Sequence, residues 1–208
     1  PVLDAIVDLL PSPLDIGAVR GTRPRDRGEE ERRPDEHEPM AALVFKIAAD
    51  TYSGHLAYVR VYSGRLKAGS TVLNATRDRR ERVGRLVRMY ADQREELEAI
   101  GAGDIGAVIG MKGVFTGDTL SPPEHPIVLD SIAFPEPVIR VAVEPRSIAD
   151  HEQMQAALRS LAEEDPTFRV TVDESTAQTL VAGMGELHLE VLLDRVRRAG
   201  IWLAALCD

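Results

Sequence analysis

The sequence is poor in cysteine and aromatic residues and has no long apolar run, which excludes several classes of protein. It has one cysteine, Cys207, so an internal disulfide bond is excluded. It shows no signal peptide and no long apolar run, so we expect a cytoplasmic location and no membrane partner. Only 4% of its residues are aromatic, and aliphatic side chains must therefore build the interior.

The sequence also lacks the motif that nucleotide hydrolysis needs. A phosphate-binding loop joins glycines to a Lys and a Ser or Thr, and neither Gly-Lys-Ser nor Gly-Lys-Thr occurs. Gly101, Gly103 and Gly106 imitate a dinucleotide fingerprint only loosely, because no helical pattern follows them. We interpret them as turn glycines. The chain alone is therefore predicted to hold no cofactor and to be inactive in GTP hydrolysis.

Acidic residues outnumber basic ones, with one local exception. The net charge of −9 disfavours a protein that binds nucleic acid over most of its surface. Guanidinium groups bind phosphate through paired hydrogen bonds, so a local cluster of arginines is a candidate contact for RNA backbone. The alternative is a solvated strand face paired with carboxylates such as Glu95 and Glu96. The arginine cluster consists of Arg77, Arg79, Arg80, Arg82, Arg85 and Arg88.

The length of 208 residues and the hydrophobic pattern predict two domains. Residues 1–16 predict a short helix, and the charged, proline-containing residues 17–39 predict a mobile linker. Between 40 and 122, short alternating runs predict antiparallel strands that close into a β-barrel, with one turn of helix at 92–100. Residues 123–137 are expected to connect the two domains, in part as a strand.

Residues 138–208 change to a mixed pattern. The spacing predicts strand, helix, strand, strand and helix, which is one strand short of a ferredoxin-like α/β sandwich. Residues 201–206 could pair as the missing strand, or they could be an atypical tail. The carboxylates at 163–165 stand before Pro166, and we interpret them as a solvated helix end.

Several separated motifs identify a resemblance. The chain contains GMGELHLE at 183–190, AEEDPTF at 162–168, GHLAYVRVYSGRLKAGSTV at 54–72 and GAGDIGAVIGMKGVFTGDTL at 101–120. Its opening, LDAIVDLLPSPLDI at 3–16, is similar to the end of a GTP-binding domain. In this order the motifs resemble the elongation factor G family of translational GTPases. The resemblance implies a translation-protein antiparallel β-barrel followed by a ferredoxin-like α/β sandwich domain.

The resemblance also implies roles and partners. GTP and Mg²⁺ would bind in a GTP-binding domain outside this chain, and the whole protein would promote GTP-dependent ribosomal translocation during protein synthesis. The arginine cluster would contact RNA of the small ribosomal subunit, whose proteins are also expected partners. Gly185, Glu186 and His188 would face the GTP-binding domain, at the interface where fusidic acid binds in the family.

Three alternatives stay open on the sequence alone. A ribosomal protection protein of the tetracycline-resistance type, or another translational GTPase, shares this domain order. A free-standing RNA-binding barrel would bind RNA through the arginine cluster by itself, with a steep salt dependence. A hydrolase centred on Glu186 and His188 would need a metal or a nucleophile, and the helical spacing of these residues does not place them on one face.

Overall fold

The computed structural model describes residues 1–50, 54–91, 93–111, 113–130, 132–145, 147, 150–198, 200–201 and 203–206. The chain divides into two compact units, Pro1–Ile132 and Ala133–Asp208. Within the described residues, no helix is both long and apolar enough to span a membrane.

The first unit is mostly antiparallel sheet. Its elements are α1 Val2–Leu9, α2 Pro13–Ile16, β1 Val19–Thr22, β2 Glu29–Arg32, β3 Ala41–Asp50, β4 Gly54–Ser63, β5 Arg65–Lys67, β6 Thr71–Asn74, β7 Arg79–Arg82, β8 Arg85–Tyr90, β9 Gln93–Leu97, β10 Ala99–Gly101, β11 Ile105–Ile109, β12 Thr119–Ser121 and β13 Val128–Leu129.

The main sheet of the first unit has eight strands in the order β7-β6-β12-β3-β4-β11-β8-β9. Strands from both of its halves share one core, because Val59, Val72 and Leu86 belong to the same buried cluster. The sheet therefore curls around a single interior. Among the described residues, however, the edge strands β7 and β9 are not paired with each other, so the predicted closure of the barrel is not observed.

The predicted mobile linker at 17–39 is wrong for much of its length. β1 and β2 form a hairpin, and β1 also pairs with β13, which confirms a strand within 123–137. Val19 packs with Leu43 and Ile127, and these contacts cover the outer face of the main sheet. The pattern escaped detection because each strand has four residues and buries only one of them.

The helical turn predicted at 92–100 is also wrong. Its polar residues form β9, which pairs with β8, and the next residues form β10, which pairs with β5. Glu95 and Glu96 lie opposite Arg88 and Val87 in this ladder. Cross-strand pairing thus overrides the helical propensity of a segment rich in glutamate.

The second unit is a layer of two helices on an antiparallel sheet. Its elements are β14 Ile139–Pro145, α3 Asp150–Glu164, β15 Arg169–Val172, β16 Thr179–Gly183, α4 Glu186–Arg198 and β17 Leu203–Leu206. The sheet order β15-β16-β14-β17 is that of a ferredoxin-like domain. β17 pairs with β14, so the segment at 201–206 supplies the fourth strand.

The helices of the second unit carry one apolar face each. Met154, Leu158 and Leu161 recur at helical spacing on α3, and Leu189 and Val196 on α4 belong to the same buried cluster. The predicted class, mixed β and α+β, is confirmed by these two units.

Candidate functional site

The arginine cluster lies mainly on two strands that follow one another in the chain. Arg79, Arg80 and Arg82 are on the edge strand β7, and Arg85 and Arg88 are on β8. In the sheet, however, β7 and β8 stand near opposite ends of the strand order, β8 next to the edge strand β9.

Three arginines of the cluster form ion pairs close to their own strands. Arg79 Nη2 lies 2.7 Å from Glu81 Oε1, and Arg85 Nη1 lies 3.1 Å from Glu96 Oε1. Arg88 lies 3.9 Å from Glu95 and 3.5 Å from Asp104. Arg85 and Arg88 therefore pair with carboxylates, as expected for a solvated strand face.

Arg77 has a structural role in the first unit. Its Nε donates to both carboxylate oxygens of Asp118, at 3.1 and 2.9 Å. Its guanidinium also lies over the ring of Phe115, 4.0 Å from the centroid. Asp118 is 2% exposed and accepts further bonds from Asn74 Nδ2 and Phe115 N. Arg77 thus neutralises a buried carboxylate that holds the turn before β12.

Arg80 and Arg82 differ from the other four. Both are exposed, and neither guanidinium group forms a hydrogen bond or ion pair with any residue that the structure describes. Arg80 and Arg82 are two residues apart on β7, so their side chains share one face of the sheet. Their cross-strand neighbours on β6 are Leu73 and Thr71. Residues two apart on a strand are about 6.6 Å apart. The two guanidinium groups therefore form a small cationic surface.

The second candidate region surrounds the start of α4. His188 Nε2 lies 2.8 Å from Asp165 Oδ2, and Met184 N donates to His188 Nδ1 at 3.0 Å. The acceptor role of Nδ1 assigns the ring proton to Nε2. Asp165 Oδ1 accepts from Thr167 N at 2.8 Å and from Thr167 Oγ1 at 2.6 Å. His188 thus joins the α3–β15 loop to the turn before α4.

The hydrogen bonds of Asp165 set its protonation. Burial alone would raise the pKa of this carboxyl group, but the bonds from Thr167 and His188 outweigh burial and hold the pKa below its usual value. The sequence analysis missed this role, since it interpreted Asp165 as a solvated helix end. The Asp-Pro-Thr sequence is a local signal, because an Asp before such a turn commonly accepts backbone bonds.

The two glycines before α4 are constrained differently. A Cβ on Gly183 would meet the side chain of Leu189 at 2.7 Å and His188 Nδ1 at 2.9 Å. A Cβ on Gly185 would meet nothing within 4 Å among the described residues. Gly183 is therefore needed for the packing of α4, whereas the space in front of Gly185 is open.

Exposed side chains of α4 follow Gly185 in the chain. Leu187 is 71% exposed and Val191 is 52% exposed, and both lie on the side of the helix away from the core. Glu186 is exposed in the first turn, where a negative charge is favoured by the helix dipole. The arrangement is an apolar patch with an acidic edge.

Both ring nitrogens of His188 are engaged in hydrogen bonds, so neither is available to a ligand. Among the described residues, no group of three or more His, Cys, Asp or Glu side chains could hold a metal ion.

Comparison with known proteins agrees with this division into two units. Residues 39–122 match the family model for elongation factor G domain 2, and residues 134–201 match that for elongation factor G, domain III. A crystal structure of a protein from Thermus thermophilus is similar over 100% of this chain, with a TM-score of 0.77 and 29% sequence identity. The chain spans 29% of the length of that protein.

Proposed function

Because the chain belongs to the elongation factor G family, we propose that it is a ribosome-docking and interdomain-signalling module. It comprises domains II and III of a protein that as a whole promotes GTP-dependent translocation on the ribosome. Hydrolysis belongs to a GTP-binding domain, and the contribution of this chain is mechanical.

The observation that carries the docking proposal is the pair of guanidinium groups on β7 that have no partner among the described residues. Arg80 and Arg82 are exposed in a chain of net charge −9, so they are attractive to RNA phosphate while the surroundings are not. The two guanidinium groups bind the phosphate backbone of small-subunit RNA. Arg77 supports this surface through its bonds to Asp118, and Arg79 pairs with Glu81 on β7 itself.

The test is co-sedimentation of the chain with 70S ribosomes across a salt series. The R80A/R82A variant is expected to bind at least about tenfold more weakly at low salt. Its slope of log affinity against log salt should fall by about 2, one unit for each lost phosphate contact. A matched variant, R25A/R140A, removes two exposed positive charges elsewhere and should retain the original slope. Equal losses in both variants would contradict the proposal.

The signalling role rests on the open patch at the start of α4. Gly185 leaves open space before the helix, Glu186 supplies a negative charge in its first turn, and the exposed Leu187 forms the apolar centre. His188 holds the turn in place through its bonds to Met184 and Asp165. The partner of this patch is the GTP-binding domain of the parent protein. A patch of this kind suits a small interface that changes with nucleotide state.

This role predicts an effect of Leu187→Ser on binding in trans. A separately purified GTP-binding domain of an elongation factor G should bind the variant about tenfold more weakly, because an exposed apolar anchor is lost. Val172→Ser is the matched control, since Val172 is 58% exposed on β15 of the same unit. Titration calorimetry would measure both, and equal affinities of the two variants would refute the assignment of the patch.

A further inference from the structure

The side chain of Arg60 lies on the outer face of β4, and its guanidinium has no acceptor among the residues that the structure describes. Val59 and Val61 face the core, so Arg60 shares the opposite face with Tyr58 and Tyr62. Its Nε is buried and has no hydrogen-bond partner, and among the described residues Arg60 has no ion pair. Its guanidinium lies 5.0 Å from the ring centroid of Tyr62. This contact with the Tyr62 ring orients the guanidinium, but it leaves the N–H groups of Arg60 without a hydrogen-bond acceptor.

Arg60 also lines a cavity within the first unit. It has a volume of about 160 Å³, close to the roughly 150 Å³ that is enough to hold a benzene ring. Apart from Arg60, the side chains that line it are mainly apolar or aromatic, including Pro13, Ile16, Val19 and Tyr62. Apolar walls with one fixed charged group are the usual composition of a small-ligand site.

The guanidinium and the apolar walls together favour an anion that carries an apolar group. A partly buried guanidinium loses hydration, and a carboxylate would restore two hydrogen bonds in the geometry that Arg prefers. A ring attached to that carboxylate would cover the apolar walls. A bare inorganic anion would satisfy the charge and leave the walls wet.

We propose that this cavity binds a small organic carboxylate, with the carboxylate on Arg60 and its ring or short apolar chain against Tyr62, Pro13 and Val19. The site is separate from the arginine cluster, from which none of its lining residues comes. It is also independent of the α4 patch, which belongs to the second unit.

The experiment titrates the whole chain with benzoate and follows backbone amide shifts by NMR. Benzoate should bind with a dissociation constant on the order of a millimolar, as expected for a ligand of this size. Benzamide has the same shape without the charge, and inorganic phosphate has charge without the ring. Each should bind at least about tenfold more weakly than benzoate.

Two variants and a control decide the role of Arg60. R60Q should weaken benzoate binding at least about tenfold, and R60K should lose less, since it keeps the charge without the planar pair of donors. R140Q removes an exposed charge from the second unit and should bind benzoate as the original chain does.

Equal binding of benzoate and benzamide to the original chain would overturn the proposal, and this comparison does not depend on the folding of any variant. Equal binding of benzoate to R60Q and R140Q would overturn it as well. Shifts of Tyr62 and Val19 amides on benzoate binding would place the ligand in the cavity, and shifts confined to other residues would overturn the assignment.

Discussion

At the scale of single residues, the bond between His188 and Asp165 links sequence and function most closely. Asp165 begins the turn after α3, and His188 lies in the first turn of α4. Their bond joins the α3–β15 loop to the start of α4, and the bond from Met184 N to His188 joins the same ring to the turn after β16, beside the open space at Gly185. A shift of this bond would move the patch, so we regard His188 as a positioning residue for the interface.

This bond predicts a pH-dependent loss of stability in D165N. The folded-state pKa of Asp165 is held below its unfolded value, so its stabilisation is present above the unfolded pKa and is lost as pH falls through the folded one. At pH 7 the variant should lose about 1–2 kcal/mol of unfolding free energy. The deficit should shrink below about pH 4, because the carboxyl group of the unfolded chain becomes protonated there and that of the folded chain follows at lower pH.

Urea unfolding at pH 7 and at about pH 3 would measure this difference. Glu190→Gln is the control, because it removes an exposed carboxylate from the same helix. A deficit in D165N that is no larger than that of the control, or that persists unchanged at low pH, would show that the carboxylate has no such role.

At the scale of elements, the turn before β12 depends on a buried charge. Asp118 accepts hydrogen bonds from Asn74, Arg77 and Phe115 N. These bonds connect the turn to β6, and β6 pairs with both β7 and β12. The edge strand that carries Arg80 and Arg82 is therefore placed through this network.

Asp118→Ala is expected to lower the unfolding free energy by about 3 kcal/mol, since it leaves a buried amide, a backbone N–H and a guanidinium without their acceptor. Arg77→Ala should cost less, because the side chain of Arg77 is 45% exposed and water can replace part of its contacts. Glu98→Ala, at an exposed position, serves as the control in chemical denaturation. If D118A loses no more unfolding free energy than the Glu98→Ala control, the Asp118 carboxylate does not stabilise the turn.

The elements with regular spacing could be predicted from sequence. α3 and α4 each repeat buried apolar residues over about two turns, and β4 alternates from Ala57 to Ser63. The hairpin of β1 and β2 could not, because its charged strands are stable through pairing with β13 and packing against Leu43. β9 was missed for the same reason, since its partner β8 is what makes it a strand.

The candidate site was predictable only in part. The sequence placed six arginines together, but it could not indicate which of them face carboxylates across a strand. Arg85 faces Glu96 through the β8–β9 ladder, and Arg77 meets Asp118 from a distant turn. Both pairings depend on register and topology, which also leave Arg80 and Arg82 without partners among the described residues.

At the scale of the whole molecule, each unit has its own core and its own surface for recognition. The buried cluster around Val59 belongs to the first unit, and the cluster around Leu158 belongs to the second. The first unit carries the β7 surface proposed to bind RNA, and the second carries the α4 patch proposed to meet the GTP-binding domain. The acidic net charge restricts the proposed RNA contact to a local surface.

The most direct measurement is photo-crosslinking from the β7 surface to ribosomal RNA. Thr71 is exposed and lies opposite Arg82 in the ladder, so p-benzoylphenylalanine at this position stands beside the proposed contact. The same label at Glu174, an exposed residue of the second unit, is the control. We predict a crosslink from position 71 to small-subunit RNA that disappears in R80A/R82A and with added salt. Ribosome-bound chain with no RNA crosslink from position 71, or one unaffected by R80A/R82A, would contradict the account.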